Sequence, residues 1–201
     1  MALSTYSGLV TALESWLNRT DLSALIPDYI SLFEARMNRL VRVPQMEASS
    51  TSTATSSTVA LPEDFLSLRE VRVGGKLIEG MNPQFLRELY RDHTGGTTYG
   101  YAVVGASLLL QPAPTSAVVA ITYYQKIPCL TASNTSNWLL ASHPDIYLYG
   151  VLCEAKAHIM DEEQSTKWKA AWDEAMSELM AAAVKARLPA GPLVMRSLVR
   201  E

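Results

Sequence analysis

The chain has 201 residues, with 17 Lys and Arg against 20 Asp and Glu, which gives a net charge of −3. This balance argues against a protein that binds nucleic acid over its whole surface, because phosphate contacts need an excess of Lys and Arg. The two cysteines, Cys129 and Cys153, are too few for a disulfide scaffold or a cysteine-based zinc site.

The beginning of the chain predicts two helices. Apolar residues from Tyr6 to Leu17 recur at helical spacing, and Ser4 or Thr5 is placed to cap that helix. Pro27 stands where the first turn of a second helix tolerates proline. An apolar stripe follows it, and Pro44 ends this second helical pattern.

The middle of the chain changes to a strand pattern. Strands are predicted over five stretches rich in apolar and β-branched residues: 66–73, 77–78, 99–104, 108–110 and 118–124. Gly74 and Gly75 predict a tight turn between the first two strands, and residues 83–90 predict one short helix. The Ser/Thr-rich stretch 49–58 fits either a linker or a solvated hairpin, because threonine favours strands.

Long helices are predicted again after Trp138. One begins at Pro144 and carries apolar residues around its whole circumference, so we expect it to be buried on several sides. Another begins near Asp161 and runs to about Arg187. The tail after Arg187 contains proline and glycine and then apolar residues with no evident partner in their own domain, so we expect a docked arm.

The chain carries none of the common enzyme motifs. His158 and Glu154 lie four residues apart, but two ligands do not make a metal site. Cys153 and His158 are separated by roughly 140° around a helix, so they do not form a nucleophile pair. His143 and Asp145 at a helix start have poor geometry for an oriented base. We therefore expect no catalytic residue, no cofactor and no metal.

Two sets of side chains are candidates for a subunit interface. Three arginines follow the second predicted helix at a spacing of three: Arg36, Arg39 and Arg42. They form either a solvated face paired with Glu34 or a surface that meets acidic groups of a neighbouring subunit or DNA phosphates. Trp168 and Trp172 lie four residues apart on the last helix, which favours packing over a ligand cage.

The apolar runs are too short to span a bilayer, and the N-terminus has no signal-peptide pattern. We therefore expect a soluble protein that is kept in a reducing cytoplasm, with both thiols free.

Several short segments resemble the head-to-tail adaptor proteins of tailed bacteriophages. Leu61-Pro-Glu-Asp-Phe-Leu66, ahead of a strand, is similar to the "LPxDFL" segment of that family. The other segments that carry the resemblance are 26–30 (IPDYI), 34–38 (EARMN), 137–140 (NWLL), 143–150 (HPDIYLYG), 154–155 (EA) and 160–163 (MDEE).

The resemblance implies antiparallel helices with a β-module inserted between the second and third. With the patterns above, it predicts an α+β fold. In this fold a helical bundle of residues 1–44 and 139–187 carries an inserted, sandwich- or barrel-like β-rich module of residues 45–138. An extended C-terminal arm, residues 188–201, follows the bundle.

The resemblance also implies a structural virion protein without catalytic residues. It implies a homo-oligomeric ring, typically of twelve copies, that connects the portal protein to the tail and surrounds the DNA channel without sequence-specific binding of the genome. The resemblance places this ring in the phage neck and implies that the ring assembles in the host cytoplasm. The implied partners are further copies of the chain, the portal protein and a tail, nozzle or tail-tube protein. The alternative is a neck or tail-completion ring that contacts mainly the tail tube rather than the portal. In the family the arm contacts the portal, and its apolar residues here are Leu188, Leu193, Val194, Met195, Leu198 and Val199.

Overall fold

The α+β class is confirmed by a computed structural model of the chain, which describes residues 3–19, 21–91, 93 and 95–187. These residues are 47% helical and 24% strand, in six α-helices and two β-sheets. The chain folds into two compact units, each of which has more contacts within itself than with the other. The helical unit holds the described residues up to Gln45 and from Ile127 onwards, and the β unit is the continuous segment Met46–Lys126.

The first two helices begin where their sequence signals predict. In α1 (Tyr6–Leu17) the hydroxyl of the N-cap Thr5 accepts a hydrogen bond of 3.2 Å from the third helical residue. Asn18 ends α1 in the left-handed conformation, with φ of 50°, which asparagine tolerates better than most residues. α2 (Ile26–Leu40) has Pro27 in its first turn. Its buried residues are Ile26, Tyr29, Ile30, Phe33, Glu34 and Met37.

The β unit contains eight strands and one short helix. They are β1 (Glu47–Ala54), β2 (Thr58–Ala60), β3 (Phe65–Val73), β4 (Lys76–Leu77), β5 (Glu79–Gly80), α3 (Pro83–Leu89), β6 (Gly100–Val104), β7 (Ser107–Gln111) and β8 (Ala117–Gln125). One sheet has the strand order β1-β8-β3-β4, and the other has the order β2-β7-β6-β5. One cluster of buried apolar side chains draws on both sheets, for example Val71 of β3 and Leu108 of β7.

The predicted glycine turn is present between β3 and β4. Gly74 and Gly75 have φ of 56° and 82°, which residues with a side chain rarely adopt and which matches a two-residue hairpin turn. The Ser/Thr-rich stretch 49–58 is neither a linker nor a hairpin, so both alternatives are wrong. β1 and β2 belong to different sheets, and β1 pairs along its whole length with β8. The pairing partner is distant in the chain, so local composition could not reveal it.

Three helices complete the helical unit: α4 (Trp138–Ser142), α5 (Pro144–His158) and α6 (Glu162–Arg187). α5 is buried on several sides, as predicted. A methyl group at Gly150 of α5 would lie only 2.1 Å from Cε2 of Phe33, so glycine permits the close approach of α2 and α5. No helix in the described part of the chain is long and apolar enough to cross a membrane.

Candidate functional site

A buried polar cluster joins α2 to α5 inside the helical unit. The carboxyl group of Glu34, which is 3% exposed, accepts hydrogen bonds from the Tyr147 hydroxyl at 3.0 Å and from the Leu130 backbone N–H at 2.9 Å. The side-chain amide of Asn137 donates to the Tyr147 hydroxyl at 2.7 Å. Burial raises the pKa of Glu34, and the hydrogen bonds it accepts only partly offset this effect. Burial and the neighbouring Glu34 carboxyl also raise the pKa of Tyr147.

The position of Glu34 corrects one interpretation of the sequence. Glu34 does not pair with the arginines of α2, because its side chain lies in the core. One turn later, the side-chain oxygen of Asn38 accepts a hydrogen bond of 2.8 Å from the Ile127 backbone N–H. Glu34 and Asn38 therefore hold the segment from Ile127 to Leu130 on α2. These polar groups of α2 serve to fix the fold of the helical unit.

Arg36 is already engaged within its own chain. Its guanidinium forms an ion pair of 2.8 Å with Glu154 on α5 and lies 5.6 Å from the ring centroid of Trp172 on α6. Trp172 is 6% exposed, so it lies in the core of the helical unit. Arg36 therefore connects three helices, and a cation over an aromatic face is an attractive contact.

The other two arginines have different surroundings. Arg42 lies beyond Leu40, the last residue of α2, so the three arginines do not form one helical strip. The Arg42 guanidinium donates to the backbone carbonyl of Asn38 at 2.8 Å. Arg39 is exposed on α2 and has no ion pair with any residue that the structure describes. Among the three, Arg39 therefore presents the most accessible charge.

Trp168 belongs to an aromatic patch, which we define as Trp16, Tyr149 and Trp168. The ring of Trp168 stacks on Tyr149 with centroids 5.8 Å apart and an interplanar angle of 17°. The Trp16 ring lies 5.4 Å from Trp168 and 6.4 Å from Tyr149. Trp16 is 47% exposed, and the other two rings are half-buried. Sequence reasoning missed Trp16 and Tyr149 as partners, because the three residues come from three helices that no local pattern connects.

The residues weighed for catalysis or metal binding have other contacts. The His158 ring packs edge-on against Tyr29 at 5.7 Å, and Glu154 pairs with an arginine. The Cys153 thiol lies 3.9 Å from the Ser165 hydroxyl. Within the described ranges, no group of three or more His, Cys, Asp and Glu is placed to hold a metal ion.

The predicted arm lies outside the described residues, so its site residues Leu188, Leu193, Val194, Met195, Leu198 and Val199 stay a prediction. The residue that leads into it is fixed: the Arg187 guanidinium donates a hydrogen bond of 2.8 Å to the backbone carbonyl of Arg42. The end of α6 is thus attached to the segment that follows α2.

Comparison with known proteins identifies the family to which the chain belongs. No curated protein matches the chain. A family model described as SU10 adaptor protein matches residues 4–196, which is nearly the whole chain and includes most of the predicted arm. An adaptor family implies a structural role in the virion, without catalysis and in connection with other virion components. The chain belongs to the SU10 adaptor protein family of bacteriophage structural proteins.

Proposed function

We propose that this adaptor forms a ring that joins the portal to the tail and surrounds the channel through which the genome passes. The observation that carries the proposal is the family match over residues 4–196. The resemblance to head-to-tail adaptors suggests twelve copies in the ring. We place the ring in the phage neck and its assembly in the host cytoplasm.

The helical unit supports a ring because it presents two different surfaces. A closed ring of identical subunits needs a head-to-tail contact, in which one face of a subunit meets a different face of the next. The exposed side of α2, which carries Arg39, and the aromatic patch are two such surfaces. Arg36, Arg42 and Trp172, which the sequence also suggested for this interface, make contacts within the chain.

The charge of α6 supports a channel that the genome traverses without being bound. The exposed acidic residues of its middle turns are Asp173, Glu174 and Glu178. Over its whole length α6 carries five acidic and four basic residues, so this helix has no excess of Lys and Arg for contacts with DNA phosphates.

We propose that the arm, residues 188–201, attaches the ring to the portal. Its apolar residues follow the Pro- and Gly-containing stretch after Arg187. In a ring every copy contributes one arm, so weak individual contacts add up to strong attachment through effective concentration.

The test compares the full chain with a variant that ends at Arg187. Each is mixed with portal rings, and complex formation is measured by mass photometry. The unfolding curve of the truncated variant serves as the control for its fold. We expect truncation to preserve the unfolding transition and to abolish portal attachment. A truncated chain that attaches equally well would remove the arm from the proposal. A full chain that binds only tail-tube rings would favour a tail-completion ring.

A further inference from the structure

The α2 ridge, which we define as Leu32, Ala35 and Arg39, is an exposed side of α2 without a partner among the described residues. Spacings of three and four place these residues on one helix face. All three are exposed, and Leu32 is 57% exposed although it is apolar. The ridge is therefore a surface with one apolar and one cationic side chain on a rigid helix.

The α2 ridge and the aromatic patch are different surfaces of the helical unit. α5 meets α2 through one face: Tyr147 and Gly150 contact Phe33, and Glu154 pairs with Arg36. Tyr149 follows Tyr147 by two residues, which places it roughly 200° around the helix. The ridge in turn lies on the side of α2 that faces away from α5. Two different surfaces are what a head-to-tail contact between copies needs.

The two surfaces also match in chemistry. The faces of tryptophan and tyrosine rings carry negative electrostatic potential and attract a guanidinium group. Arginine suits this contact better than lysine, because its planar group stacks on the ring. The same kind of contact exists within the chain, where Arg36 lies 5.6 Å from the ring centroid of Trp172. Trp, Tyr and Arg are also the residues most enriched among energetically dominant interface positions.

We infer that the α2 ridge of one copy packs on the aromatic patch of the next copy, with the Arg39 guanidinium over an aromatic ring and Leu32 beside it. This inference rests on the proposed ring, and it names the residues through which neighbouring copies meet. Each copy offers its ridge to one neighbour and its patch to the other. The contact therefore repeats around the assembly without leaving either surface unused.

The first test measures assembly of the full chain, alone and with portal rings, over a range of protein concentrations by mass photometry. Arg39→Glu and Trp16→Ala should each raise the concentration at which multi-copy assemblies form by about tenfold or more. Arg39→Lys should give an intermediate effect, because lysine keeps the charge but not the planar group. Lys185→Glu is the control, since it makes the same charge change at an exposed position of α6.

The outcomes separate this inference from the proposed function. If the wild type assembles and Arg39→Glu and Trp16→Ala assemble equally well, the inference is wrong while the ring remains. If the wild type forms no multi-copy assembly in either sample, the ring and the inference are both wrong.

A cross-linking experiment tests the contact without relying on a loss of assembly. In a Cys129→Ser background, one preparation carries Ala35→Cys in the α2 ridge and another carries Ser15→Cys beside Trp16, so that Arg39 and Trp16 are both retained. A short thiol-specific linker should join the two chains efficiently only when the preparations are mixed. Cross-linking within the Ala35→Cys preparation alone would indicate that identical faces meet, and would overturn the inference. Buried Cys153 is present in every sample, so it provides a common background.

Discussion

The hydroxyl of Tyr147 on α5 donates a hydrogen bond of 3.0 Å to the carboxyl of Glu34 on α2, with both side chains inside the helical unit. Tyr147→Phe keeps the ring but removes this donor, so a buried carboxyl loses a partner. We expect the free energy of unfolding in urea to fall by about 1–3 kcal/mol. Tyr149→Phe is the control, because that ring is half-buried in the aromatic patch, and it should change stability by less than about 0.5 kcal/mol. Equal losses in the two variants would contradict the role given to the Tyr147 hydroxyl.

The raised pKa of Glu34 makes stability depend on pH in a defined direction. The folded protein holds a proton on Glu34 at pH values where the unfolded chain, with an ordinary pKa of 4.5, has released it. Stability from this group is therefore complete below the unfolded pKa and is lost as pH rises through the folded pKa. We expect Glu34→Gln to remove this decline from unfolding curves measured between about pH 4 and pH 8. Glu174→Gln, at an exposed position of α6, should retain the decline.

Gly150 should be intolerant of even one added methyl group. In an ordinary helix interior, Gly→Ala stabilises by about 0.5–1 kcal/mol. At Gly150 the new Cβ would lie 2.1 Å from Cε2 of the fully buried Phe33, so we expect Gly150→Ala to destabilise by about 1–3 kcal/mol instead. The double variant Phe33→Leu/Gly150→Ala should lose less than the sum of the two single losses, as thermal unfolding can show. A stabilised Gly150→Ala protein would show that α2 and α5 are less closely packed.

Substitutions of Arg36 and Arg39 should change the free energy of unfolding by different amounts, although both residues lie on α2. Arg36→Met removes an ion pair with Glu154 and a contact with the Trp172 ring, so we expect a loss of about 1–2 kcal/mol in the free energy of unfolding. Arg39→Met removes an exposed charge without an ion pair in the described structure and should change stability by less than about 0.5 kcal/mol. Chemical denaturation of the two variants in parallel tests this, and a larger loss from Arg39→Met would reverse the assignment.

Local signals in the sequence were sufficient for the helix ends and the turns. Thr5 caps α1, Pro27 lies in the first turn of α2, and Gly74-Gly75 joins two strands, because each feature depends on residues that are neighbours in the chain. The α+β class follows from the change of apolar period along the chain. Contacts between distant residues were beyond local reasoning, as with the pairing of β1 with β8.

The sequence also could not predict which charged side chains are buried or which residues they contact. A helical pattern places Glu34 and Arg36 only two residues apart, but it does not show that the first is buried and the second pairs with Glu154. The sequence predicts a β-module over residues 45–138, which includes the segment after Ile127. The structure groups it with the helical unit, where Glu34 and Asn38 bind its backbone. Such side-chain-to-backbone bonds leave no periodic trace in a sequence.

The separation of 113 residues between Glu34 and Tyr147 has a consequence for the order of folding. On the ribosome, α2 emerges well before α5, so the Glu34 carboxyl lacks the Tyr147 hydroxyl until α5 has been made. The β unit, in contrast, is one uninterrupted segment and can form during translation. We therefore expect closure of the helical unit to follow formation of the β unit, because contacts between distant residues require loop closure. A nascent chain stalled before Tyr147 would carry a finished β unit flanked by helices that have not yet met.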